Sequence, residues 1–130
     1  MDLPEYALEL LLGYDGRAHY FASGHTLRFE VRLIGKSART PYGIAYSLTL
    51  HAPHGKRLLG FDNAHPVPHL GGRHIKPKAE SDHWHRTAND PGRPYDFVSV
   101  EKLLEDFFRE AERILVEQGV SFEIVDEQED

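Results

Sequence analysis

Leu27-Arg28-Phe29-Glu30-Val31-Arg32-Leu33-Ile34 sets apolar against charged side chains along most of its length, and a period of two belongs to a strand with one buried face. Leu27, Phe29, Val31 and Leu33 form that face. A second strand is expected from Tyr42 to Leu50, with Ile44, Tyr46, Leu48 and Leu50 on one side. The turn Pro53-His54-Gly55-Lys56 returns the chain into Arg57-Leu58-Leu59-Gly60-Phe61, and the two segments read as a hairpin. Upstream, Tyr6 to Leu12 is apolar enough for a strand, with a short helix as the alternative. An Asp15-Gly16 turn then leads into an extended Ala18 to Phe21, which Ser23-Gly24 ends.

A meander of this kind leaves one sheet face in need of cover. Residues 99–118 supply it. Val100, Leu103, Leu104, Phe107, Phe108, Ala111, Ile114 and Leu115 recur at three- and four-residue steps, and charges fill the gaps. Ser99 is suited to the N-cap, Glu101 to the first turn and Gly119 to the C′ position. Val120 to Val125 then alternates like an edge strand, and Asp126 to Asp130 reads as a frayed end. The expected fold is α+β, an antiparallel β-sheet meander packed by one long C-terminal amphipathic helix. No repeat or low-complexity linker divides the chain. Residues 1–130 are therefore expected to form a single domain: strands over 6–62, an irregular histidine-rich segment over 63–95, the helix, and an edge strand with an acidic tail over 119–130.

Composition narrows the function classes. The 130 residues include no cysteine, which removes disulfides and thiolate metal sites. Met1 to Glu5 carry neither a basic stretch nor a long apolar one, so the expectation is a cytoplasmic protein with no secretory signal and no membrane partner. The net charge of -6 hides a segregation. Residues 51–95 carry +3 and seven of the nine histidines, while residues 96–130 carry -9. A protonatable centre beside an acidic end suits a polyanion on one side and a basic protein on the other.

The segment from Asn63 to Arg93 has no period, and irregular stretches this long are usually functional or disordered. Its densest polar group is Asp82-His83-Trp84-His85-Arg86. In an extended strand His83 and His85 share a face while Trp84 turns the other way, into the core. Two imidazoles in an accessible loop suit RNA cleavage, in which one base takes the 2′-hydroxyl proton and one acid protonates the leaving oxygen. Arg86 and Arg73 are the candidate phosphate ligands. Asp82 and Asp62 are the candidate orienting carboxylates. A second reading uses His83 and His85, with Asp62, His65 or Asp82, as ligands of a divalent cation. The plainest reading makes these histidines surface residues of a histidine-rich chain. Asn63 reads as a turn cap, and Tyr95 and Phe97 as core residues at the helix entry. No Gly-rich phosphate loop, Gly-x-Ser-x-Gly elbow or helix-turn-helix pattern is present, which sets aside nucleoside triphosphatases, common hydrolases and direct transcription factors.

Four stretches in order carry a resemblance: Phe61-Asp62-Asn63-Ala64-His65, Asp82-His83-Trp84-His85-Arg86, Pro94-Tyr95-Asp96-Phe97 and Leu103-Leu104-Glu105-Asp106-Phe107. Over roughly residues 42–115 the chain resembles TumE-type proteins, the toxin halves of bacterial toxin–antitoxin pairs. The resemblance implies a growth-inhibiting toxin of a type II system, held in check by a DNA-binding antitoxin encoded nearby. It also implies action on RNA as an endoribonuclease, with no cofactor. Residues 64–81 are longer than the same stretch in many relatives, and the tail from Gly119 runs past the usual helix end. The competing expectation is a non-catalytic domain that holds a partner protein, for which the His83/His85 pair has no necessary role.

Overall fold

A computed structural model describes residues 3–36, 43–63, 82–86 and 92–129. Helix α1 (Glu5–Leu12) precedes strands β1 (Arg17–Phe21), β2 (Thr26–Leu33), β3 (Ile44–His51), β4 (Arg57–Asp62), β5 (His83–Arg86) and β6 (Arg93–Pro94). Helix α2 (Val100–Glu117) and strand β7 (Ile124–Glu129) follow. The strands make one antiparallel sheet in the order β6-β5-β4-β3-β2-β1-β7. The expected α+β architecture is the one observed. No helix among the described residues is long and apolar enough to cross a membrane.

Strand parity decides which side chains enter the core. Cross-strand partners share a face. The rows Phe29–Leu48–Phe61–Trp84 and Leu27–Leu50–Leu59 all lie on the side that α2 covers. Phe107 meets Phe29 and Phe61 edge-on, with centroids 5.8 and 5.9 Å apart. Ser99 caps α2 by accepting a hydrogen bond from the Lys102 amide, as its position suggests. The opposite face carries Arg28, Glu30, Arg32, Ser47, Thr49, Gly60, Asp62, His83 and His85.

Two expectations are corrected. Tyr6 to Leu12 is helical, because leucines, unbranched at Cβ, favour a helix and its Ala7 and Leu11 stripe packs beside α2. The acidic end is not frayed. Ile124 to Glu129 pairs with β1, setting Glu129 opposite Arg17 and Glu127 opposite His19, while Val120 and Phe122 turn toward the core. The short strand β6 was not expected, since Pro94 lacks a donor; it is tolerated because β6 is an edge.

Candidate functional site

Asp62 ends β4 directly opposite His83, and Gly60 lies opposite His85. The side chain that lies over Gly60 is that of Arg57, whose Cδ would stand 3.6 Å and Nε 3.7 Å from a Cβ placed there. One side of the His85 ring is set by Gly92. A Cβ at this position would stand 2.5 Å from His85 Cε1, and φ is +101°, a backbone conformation that favours glycine.

The result is a carboxylate between two imidazoles. His83 Nε2 lies 2.9 Å from Asp62 Oδ1, and His85 Nε2 lies 3.5 Å from Oδ2. The two rings meet edge-on with centroids 4.8 Å apart. Asp62 and His83 are buried, at 7% and 1% exposed, which overturns the expectation of an accessible loop pair; only His85 retains some access. Asp62 Oδ1 is buried, and the group that approaches it is His83 Nε2. Burial raises the Asp62 pKa, but the contacts and charges of the two histidines outweigh it and hold the carboxyl well below its usual range.

Parity separates the other candidates. Asp82, beside His83 in sequence, points to the helix side, where the Tyr46 hydroxyl donates to its Oδ2 at 2.6 Å. Burial raises the Asp82 pKa despite that hydrogen bond. Burial, followed by the neighbouring Asp82 charge, raises the Tyr46 pKa as well. Trp84 stacks on Phe61 at 5.6 Å and carries the Arg93 guanidinium over its ring at 4.4 Å. Arg86 also leaves the histidines, and its Nη2 donates to Glu117 Oε1 at 2.6 Å. Arg73 and His65, with the rest of 64–81, lie outside the described residues. Asn63 is structural, as expected, but it bridges strands rather than capping a turn. Its side chain accepts from the Tyr46 amide and donates to the Ile44 carbonyl, extending the β3–β4 pairing past Asp62.

Asp106 and Tyr95, which periodicity alone did not single out, hold the segment before α2. The Tyr95 hydroxyl, Lys102 Nζ and Arg109 Nη2 all donate to Asp106, at 2.6–2.7 Å. Burial raises the Asp106 pKa, but the hydrogen bonds and the charges of Lys102 and Arg109 bring it below its ordinary value. The Tyr95 pKa is raised, by burial first and then by its bond to Asp106.

An antiparallel sheet covered by helices on one side, with a buried carboxylate–imidazole cluster on the other, defines a small α+β protein with a site on the sheet face opposite its helices. The sequence model of the family described as Toxin TumE matches residues 7–115, so the chain belongs to the TumE toxin family. The match starts well before the stretch that carries the resemblance and stops short of β7. No curated protein and no solved structure matches the chain.

Proposed function

We propose that this chain is the growth-inhibiting half of a type II toxin–antitoxin pair and that it cleaves RNA at the Asp62–His83–His85 cluster. The observation that carries this reading is the convergence of two imidazoles on one buried carboxylate, in a chain of a toxin family. On the same sheet face a concavity of about 540 Å³ is lined by Arg17, Arg28 and Arg32 beside Asp15, Glu30 and Ser47. Cross-strand register links it to the cluster, since Glu30 faces Ser47 and Ser47 faces Asp62. Guanidinium groups bind phosphate oxygens and supply affinity that does not depend on sequence. These arginines take the phosphate role that the sequence assigned to Arg73 and Arg86.

The reaction consumes no second reactant. The 2′-oxygen bonds to phosphorus as the bond to the 5′-oxygen breaks; the 2′-hydroxyl loses its proton and the 5′-oxygen gains one. The antitoxin is a neighbouring-gene product with a basic segment. It docks on the outer edge of β7, where Asp126 and Glu127 supply the opposite charge and the backbone accepts an added strand.

Expression in the bacterial cytoplasm from an inducible promoter, with and without the neighbouring gene, tests this reading. The chain alone should stop growth and fragment RNA on an electrophoretic gel, and co-expression should prevent both. Arrested growth over intact RNA would replace the substrate, and unimpeded growth would leave a non-catalytic binding domain.

A further inference from the structure

We infer that Asp62, His83 and His85 form a binding site for one divalent transition-metal ion, with Zn²⁺ as the ion to test first. The ion's role in cleavage rests on the function proposed above; its binding does not.

Each of the three residues offers one ligand atom, and these atoms lie within 4.8 Å of one another. Zinc bonds to nitrogen and carboxylate oxygen of about 2.0–2.1 Å put neighbouring ligands about 3.0–3.4 Å apart at ordinary bond angles. The carboxylate–imidazole separations of 2.9 and 3.5 Å are already near that range. Modest rotation of the less buried His85 closes the remaining distance.

A second observation concerns burial. Asp62 is buried, at 7% exposure, and its Oδ1, with His83 Nε2 2.9 Å away, makes no aligned hydrogen bond among the described residues. A buried carboxylate oxygen left this way is unfavourable, and a cation satisfies it directly. The surroundings also preset the ligands. Gly92 packs against the His85 ring, where any Cβ would stand 2.5 Å from Cε1.

The donor set selects the ion. Two neutral imidazoles and one carboxylate suit zinc or another first-row ion, whereas Mg²⁺ and Ca²⁺ require oxygen shells. One carboxylate leaves a bound dication with net positive charge, and three protein ligands leave a coordination position for water or a phosphate oxygen.

The test uses the untagged chain, since a polyhistidine tag would bind the same ions. After dialysis against chelator, calorimetric titration with Zn²⁺ should give one ion per chain. Co²⁺ should develop the visible absorption of an imidazole-ligated ion, and Mg²⁺ should give neither signal. Asp62→Asn and His85→Gln, shown to be folded by near-ultraviolet circular dichroism, should bind Zn²⁺ at least about 10- to 100-fold more weakly. His51→Gln, at a site apart from the cluster, should bind like the parent. Failure of the folded parent to bind Zn²⁺ and Co²⁺, or undiminished binding by both cluster variants, would overturn the inference. A chain that binds Zn²⁺ without arresting growth or cutting RNA keeps the metal site and loses the proposed function. A toxic, RNA-cleaving chain that binds neither ion does the reverse.

Discussion

Replacing Gly92 with alanine should damage the site through one contact whose size the structure sets. The added Cβ would lie 2.5 Å from His85 Cε1 and 2.8 Å from Nδ1. Ordinary contact begins near 3.4 Å, so the ring must recede by about 0.9 Å, the difference between 3.4 and 2.5 Å. That movement displaces Nε2 from its place beside Asp62, and a misplacement near 1 Å at a reacting centre lowers rate by roughly 100-fold. Alanine at φ +101° adds backbone strain of about 1–3 kcal/mol. Gly55 separates the two effects. Its φ is +99°, but nothing lies within 4 Å of a Cβ placed there. Gly55→Ala should therefore lose stability in urea unfolding while still arresting growth, whereas Gly92→Ala should lose both stability and RNA cleavage. Full growth inhibition by Gly92→Ala, or equal loss of activity in Gly55→Ala, would refute the reasoning.

Three further outcomes are expected. Phe107→Ala, which deletes a fully buried ring packed on Phe29 and Phe61, should cost about 3–5 kcal/mol in urea unfolding; a loss below about 1 kcal/mol would contradict the core described here. Asp106 has a lowered folded pKa, so its contribution to stability is present above the ordinary carboxylate range and is lost as pH falls through the folded value. Asp106→Asn should therefore lose less stability than the parent between about pH 5 and pH 3, and parallel curves would exclude that contribution. Ending the chain after Gln118 removes β7 and the Phe122 ring that meets Phe21 at 5.1 Å, and it bares the β1 edge. The shortened chain should melt at a lower temperature, and an unchanged melt would make β7 dispensable.

The elements with a clean period were legible in the sequence. Alternation from Leu27 to Leu33 identified the core face of β2, and the three- and four-residue spacing after Ser99 identified α2. Tyr6 to Leu12 has no comparable alternation, so packing against α2 decided its helical state. The acidic run of β7 carries no apolar signal, and its pairing depends on a β1 strand more than a hundred residues away.

Parity also predicted that His83 and His85 share a face and that Trp84 opposes them. The same rule, carried one residue each way, puts Asp82 and Arg86 with Trp84 rather than with the histidines. It equally puts Arg28 and Arg32 on the face of β2 opposite α2. The convergence of Asp62 on both imidazoles was not legible to the same degree. It depends on the register of β4 with β5 across a twenty-residue gap, and on a glycine at 92 that looks unremarkable in a linear sequence.

The central claim is that the Asp62–His83–His85 cluster carries the toxicity. Its most direct test is growth inhibition by the Asp62→Asn, His85→Gln double variant, expressed at the parent's level and shown to be folded by near-ultraviolet circular dichroism. Both substitutions approximate the parent side chains in size, and His83 stays in its buried position. The account predicts that cells expressing this variant grow like uninduced cells and keep their RNA intact. Growth arrest with the parent's strength, by the same folded variant, would contradict it.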